Sequence, residues 1–275
     1  MAVIGRLSIE QATQEITDNF KKLNNKILDI LVKSIARREA LPEKYVMGKI
    51  IEAIKLMEKK TYPLIEKHLT WHYEKSNLLV TSAMVKAGID TAEKLSQDQI
   101  LQLNAIVSET LNDYGDALRG TLNSSQKVMT LARKERIQIL FIDGNLGEKG
   151  YQEIKKRIVE DLSKDLTSIV DRGGRTWRLD TYAEMLTRTR LREITNTSLQ
   201  KRLQIEKFDL VQVSIHNSDH EECRRWEGKI LSITGNTPGY PTTRDAENAG
   251  LMHPNCKHRY LPAPLELRLK KELLK

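Results

Sequence analysis

Residues 180–215 read DTYAEMLTRTRLREITNTSLQKRLQIEKFDLVQVSI, and within them the chain changes its pattern. As far as about Ile205, apolar side chains return every three or four positions among charged ones, the period of an amphipathic helix. From Asp209 to Ile215 the run DLVQVSI has the β-branched alternation of a half-buried strand. The change near residue 207 sets a helical chain before it against a small mixed module after it. The expected fold is mainly α: a long helical body followed by a small α+β C-terminal module. The expected segments are a helical domain over 1–175, a connecting helix over 176–207, and an α+β module over 208–275 that ends in a helix.

Upstream, one helical pattern follows another. Ser8 is a plausible N-cap for a stripe of Ile9, Ala12, Ile16, Leu23, Ile27, Ile30 and Leu31. Pro42 opens a second helix, where its missing N–H costs little, with Val46, Ile50, Ile54 and Met57 on one face. Pro63 predicts a kink or the start of a third helix that closes near Gly88. Ser96 and Gln99 form a capping box ahead of Ile100, Leu103, Val107 and Leu111. A separate helical pattern covers about Ser124 to Phe141, and another about Gly150 to Ile169. The run Arg172-Gly173-Gly174-Arg175 reads as a flexible break. Downstream, Lys229 to Ile233 predicts a second strand, Thr234 to Pro241 a Gly/Pro-rich loop, and the residues after His258 a last short strand. Pro264 opens a terminal helix.

The totals agree with that texture. The 275 residues are 39% hydrophobic, 30% charged and only 5% aromatic, which favours helices over a sheet-rich fold. A formal charge of +8 suits nucleic acid or an acidic protein partner and specifies neither. No apolar run reaches the length of a membrane span, and acidic residues interrupt the N-terminus before a signal-peptide core develops. No serine-nucleophile motif or phosphate-binding glycine loop occurs. His68, Trp71 and His72 sit in a helical pattern and read as core and interface side chains.

The candidate chemistry lies in some forty residues. His216, His220 and Cys223 follow the first strand, and His253, Cys256 and His258 fall together in HPNCKHR. Thiolate and imidazole are the ligands that zinc prefers, and a small domain typically supplies them as two short clusters across a longer loop. A structural zinc joining the clusters would staple a module too small for a large core. The plainer alternative is two buried cysteines with hydrogen-bonded histidines. An enzymatic alternative strains Asp219-His220, Asn248 or Asn255, and His258 into the order of a metal-dependent HNH-like nuclease, with His220 as general base. The prolines at 238 and 241 fall where that motif needs a compact hairpin. Arg175, Arg178, Arg188 and Arg192 crowd the start of the late helix, with Arg188 and Arg192 on one face. They are candidates for nucleic-acid or partner contact, against the alternative of a solvated helix face paired with Glu184 or Glu193.

Several motifs in order resemble one family. GRTWRLDTYAEMLTRTRLRE, DLVQVSIHNSDHEECRRWEGKILSITG and HPNCKHR are similar to the phage minor capsid protein 2 family, itself related to the Mu F-like head morphogenesis proteins. The matching positions are Tyr182, Arg188-Thr189, Val213-Ser214-x-His216, Trp226-x-Gly228-Lys229 and Asn255-Cys256-x-His258. Two departures stand out: the chain stops soon after the terminal N-C-x-H, and Cys223 occupies a position where the family suggests histidine. That exchange preserves ligand chemistry, and groups His216, Cys223, Cys256 and His258 as the expected metal set, with His220 and His253 as alternative ligands. The resemblance implies a structural, non-enzymatic virion protein, made in the host cytoplasm and present in multiple copies at the portal vertex or inner capsid. It implies portal and capsid proteins as partners, with non-specific DNA contact during packaging or delivery.

Overall fold

The computed structural model describes residues 2–35, 41–91, 94–143, 156, 168–171, 174–264 and 266. Its elements run α1 (Ala2–Ile35), α2 (Glu43–Lys86), α3 (Gln97–Asp143), β1 (Ser168–Val170), β2 (Thr176–Arg178), α4 (Leu179–Ile205) and β3 (Leu210–Val213). They continue with α5 (Glu221–Arg224), β4 (Ile230–Ser232), α6 (Thr243–Asn248) and β5 (Tyr260–Pro262). The fold is mainly α, with long helices followed by a small α+β region. No helix among the described residues is long and apolar enough to cross a membrane.

Packing divides the chain into two units. One comprises Met1–Ile9, Glu66–Glu109 and Met185–Lys275; the other comprises Glu10–Ile65 and Thr110–Glu184. This is a division by packing, whereas the segments expected from the sequence follow changes of pattern along the chain.

In the second unit, α1 buries Ala12, Ile16, Phe20, Leu23, Ile27 and Leu31, and α2 buries Val46, Ile50, Ile54 and Met57. Those intervals of three and four keep one stripe inward over many turns. The Phe20 ring stacks on Tyr114 of α3 with centroids 5.2 Å apart. Pro63 neither breaks nor restarts a helix: α2 runs through it for 44 residues. Proline removes the hydrogen bond to the carbonyl four residues earlier. Pro63 and Lys59 are both exposed, so water can take up that carbonyl. The two helical patterns expected on either side of residue 120 are likewise one 47-residue helix, α3. Thr121 and Ser125 are fully buried within it, and their hydroxyls donate to the carbonyls of Ala117 and Thr121 at 3.0 and 2.9 Å. The polar residues that resemble a break are thereby satisfied inside the helix.

Of the flexible break expected at 172–175, residues 172 and 173 lie outside the described residues; on either side of it Ser168 stands opposite Arg178 and Val170 opposite Thr176 in an antiparallel pair. Asp171 organises it, accepting from the Arg175 N–H and from the Trp177 indole N–H at 2.9 and 2.8 Å. Ser168–Val170 is therefore strand where a helix to Ile169 was expected; most of that expected helix, and residues 267–275 of the terminal one, lie outside the described residues.

In the first unit, the three-stranded antiparallel sheet has the order β4-β3-β5. Its pairings include Val211 with Leu231 and Val213 with Tyr260. Val80 and Met84 of α2, Leu199 and Leu203 of α4, and Val211, Val213, Leu231 and Tyr260 of the sheet share one core with Cys223 and Cys256. The Ser96–Gln99 capping box is present, with both reciprocal bonds formed at 3.0 and 3.3 Å. Directly after the loop expected at 234–241, Thr242 and Asp245 form a second capping box that starts α6.

Asp209, at the entry to β3, ties down the loop after β4. Its carboxylate accepts from the Thr234 N–H at 2.8 Å, from the Thr234 and Thr237 hydroxyls at 2.7 and 2.6 Å, and from the Ser232 hydroxyl. Burial pushes the carboxyl up, but these donors outweigh it and hold it below its ordinary value. A depressed folded-state pKa means stabilisation that is complete above the unfolded value of about 3.9 and lost as pH falls through the folded one. Asp209→Asn is expected to cost about 1–2 kcal/mol at neutral pH and to flatten the acid limb of stability against pH. Urea midpoints at several pH values check this; an unchanged acid limb in the variant rejects it.

Candidate metal centre

The site is built where β3, α5 and the loop before β5 meet. Gly228 closes the W-x-G-K turn at φ 74°, with its N–H on the Val213 carbonyl at 3.0 Å. The positive φ is what favours glycine there; a Cβ would stand 3.3 Å from the exposed Ile215 side chain, which has room to shift. One-turn α5 follows His220, whose carbonyl accepts from the Cys223 N–H at 3.1 Å. That turn points Cys223 into the core.

The HPNC run is a β-turn. The Cys256 N–H donates to the His253 carbonyl at 3.0 Å, and Asn255 takes φ 64°. Proline second and a positive-φ asparagine third are what a type II turn requires. The turn brings His253 and Cys256 together, and with Cys223 they offer three ligand atoms that all lie within 4.8 Å of one another. The two sulfurs are 3.8 Å apart, and no disulfide joins them.

His258 adds a fourth candidate. Its Nδ1 is 3.3 Å from the Cys256 sulfur, and its Nε2 is 2.8 Å from the Glu227 carboxylate. Glu227 also accepts the His216 and Ser218 N–H groups at 3.1 and 3.0 Å. His253 donates from Nδ1 to the Pro254 carbonyl at 2.7 Å, because a carbonyl can only accept. Its lone pair then sits on Nε2. By the same logic the Glu227 bond leaves the lone pair of neutral His258 on Nδ1, toward Cys256.

Electrostatics follows this geometry. Burial pushes the Cys256 thiol up, but the His258 ring, its N–H and the Arg192 charge pull it down, to about 7. Burial and the neighbouring Cys256 push the Cys223 thiol up. Burial lowers His258, yet Cys256 and Glu227 outweigh this and raise it. Cys256 is thus the readier thiolate of the pair.

The remaining expected residues fall as follows. His216 is half-buried, with Nε2 2.9 Å from the Ser214 hydroxyl and its ring edge-on to His258 at 5.1 Å. His220 is exposed, with its ring 4.9 Å from that of His253. For the nuclease arrangement, both His258 nitrogens are already engaged, by Cys256 and Glu227. Arg175 and Arg178 are exposed at β2 of the second unit, where Arg178 pairs with Asp180 at 3.2 Å. Arg188 donates to the Asn255 side chain at 3.0 Å. Arg192 is only 7% exposed and donates to the carbonyls of Met252, His253 and Cys256 at 2.9, 2.7 and 3.3 Å. It holds the ligand-bearing turn from behind. Of the earlier helical trio, His72 is buried and its ring meets Trp71 edge-on at 4.7 Å.

Sequence reasoning missed Glu227 and the inward role of Arg192. The position of Glu227 inside W-E-G-K, on a turn facing the first cysteine, is the available signal for the former.

A family model described as phage minor capsid protein 2 matches residues 7–267. A protein of Lactococcus phage LL-H named "Structural protein" is 23% identical over 268 residues, which span 90% of this chain and 71% of that protein. No solved structure matches the chain.

Proposed function

Since the chain belongs to the phage minor capsid protein 2 family, we propose that it is a non-catalytic head component that binds the portal or the inner capsid. A phage structural role follows from that membership and from the relative's name. The finer reading is a protein present in several copies per particle, at the portal vertex or shell interior, that assists DNA packaging or delivery. The observation that carries it is a family match running through both the helical body and the C-terminal region, residues 7–267. The charge of +8 supports contact with an acidic protein surface or with the genome. Gradient-purified heads assembled with an epitope-tagged copy are expected to contain the chain at sub-stoichiometric level to the major shell protein, and tagged portal is expected to retain it. Heads devoid of the chain would sink the reading.

The Cys/His cluster fits a structural zinc. In a tetrahedral site with Zn–S bonds near 2.3 Å, two sulfurs stand about 3.8 Å apart, and the Cys223–Cys256 separation is 3.8 Å. His253 and His258 each have one ring nitrogen oriented by an oxygen, as ligating histidines in metal sites do. Cys223, Cys256 and His258 would hold the ion, with His253 at the fourth position and His216 the competing candidate. Cys223, Cys256 and His258 are each at most 3% exposed. A metal so enclosed would cross-link the start of α5 to the strand-leading loop, and buried ligands suit that staple.

A further inference from the structure

We propose that the groove between α1 and α2 in the second unit receives an acidic amphipathic helix of a partner virion protein. The inference deepens the structural reading above and rests on it for the partner's origin. Its floor is apolar: Leu23, Ile30, Ala53, Leu56 and Met57 line a cavity of about 460 Å³. A second hollow shares Lys26 and Ile30 with the first and carries the groove on to Leu41, Pro42 and Tyr45. Leu56 is 71% exposed and Tyr45 53%, so a large apolar side chain stands bare at each end. Eleven residues of helix separate them, about 16 Å or three turns, which puts both on one face and matches the length of a short docked helix.

The rim supplies the sign of the partner. Lys22, Lys26 and Lys33 of α1 and Lys49 and Lys60 of α2 face the groove, against Asp29 and Glu52. Lys33 pairs with Asp29 and Lys49 with Glu52, at about the same 2.9 Å. Five lysines less two carboxylates leave an excess of three positive charges. Two basic rails over an apolar floor complement a helix with leucine-type anchors on one face and glutamates flanking them. A DNA backbone would use the rails and leave the floor and its two exposed anchors uncovered.

The test uses the full chain and a synthetic helical peptide of about 20 residues, with leucine at the inward heptad positions and glutamate elsewhere. Fluorescence anisotropy is expected to show saturable binding. Leu56→Asp, and separately the pair Lys26→Glu with Lys60→Glu, are expected to weaken it about tenfold. These side chains are exposed, and unchanged circular dichroism and melting confirm that the variants fold. Three results overturn the groove: no saturable binding, equal binding of the same peptide with lysine for glutamate, or binding insensitive to Leu56→Asp. A short DNA duplex that competes with the peptide and loses affinity only in the lysine variants identifies the rails as a nucleic-acid contact and also overturns it. Head incorporation of the wild-type chain reads the structural role separately. Chain present in heads while the peptide fails rejects the groove alone; chain absent from heads rejects the role.

Discussion

Arg192→Leu is expected to destabilise the unit that contains it by about 3–5 kcal/mol, the scale for losing two or three charge-assisted hydrogen bonds to buried carbonyls. The guanidinium is almost wholly enclosed and serves three carbonyls of one turn, Met252, His253 and Cys256. Leucine fills much of the volume but leaves the Met252 and Cys256 oxygens without the Arg192 donor, at about 1–3 kcal/mol for each, and leaves the His253 oxygen only its bond from the Cys256 N–H. Two features of the turn make it sensitive to that loss: Met252 and Asn255 both hold positive φ, at 63° and 64°. Arg192→Lys is expected to recover only part of the loss, since one ammonium cannot span donors aimed at carbonyls of different residues. Arg188→Ala, which gives up an exposed bond to Asn255, should cost no more than about 1 kcal/mol. Urea denaturation monitored by tryptophan fluorescence makes the comparison. Equal, small effects at 188 and 192 would show that the inward arginine does not hold the turn.

That pair of arginines shows where sequence reading reaches its limit. Positions 188 and 192 share a helix face, and their chemical type is identical, so periodicity assigns them one environment. Only the loop from a distant part of the chain, packed over α4, makes one of them interior. The same holds for Glu227 and Asp209, ordinary carboxylates in the sequence that become hubs because several donors converge on them in space. By contrast, the helical stripes were legible because burial repeats with the helix period, as the inward run from Ala12 to Leu31 shows. The three strands of the C-terminal sheet and both cysteine-bearing clusters were legible for a related reason: residue type and spacing carry them. The HPNC turn could have been read as well, since proline followed by asparagine is the pair that a type II turn demands.

The misreadings share one cause. Pro63, read as a kink or a helix start, and Ser124, read as the start of a separate pattern, are punctuation by propensity, worth up to about 3 kcal/mol against a helix. A long helix that buries a full stripe in a core offsets such local costs, and α2 and α3 continue through them. Gly174 carries the opposite lesson: a glycine at positive φ marks a hinge or a tight turn equally well. The Asp171 bonds to Arg175 and Trp177 that decide the matter depend on side-chain placement.

Removing the metal should have the other large effect. Purified without chelator, the chain is expected to carry about one zinc, read by elemental mass spectrometry. Zinc held at 1,000 times its dissociation constant contributes about 4 kcal/mol. At about 2–4 °C per kcal/mol for a unit of this size, a chelator should lower the melting of the C-terminal region by roughly 8–16 °C. Cys256→Ser with His258→Ala should abolish both the zinc and the chelator response while the helices of the second unit remain folded, since none of the candidate ligands belongs to that unit. The two competing histidines are separable: His253→Ala should reduce zinc content and His216→Ala should leave it intact, because His253 shares the site with both cysteines. The reverse pattern would move the fourth ligand to His216. A metal-free chain whose melting ignores chelator would remove the staple and leave Cys223 and Cys256 as packed members of the core. In that case the thiolate-favouring contacts of Cys256 with His258 and Arg192 must stabilise the turn unaided, and Cys256→Ser alone would still destabilise the region, by the loss of buried sulfur contacts in a core that includes Val213 and Tyr260.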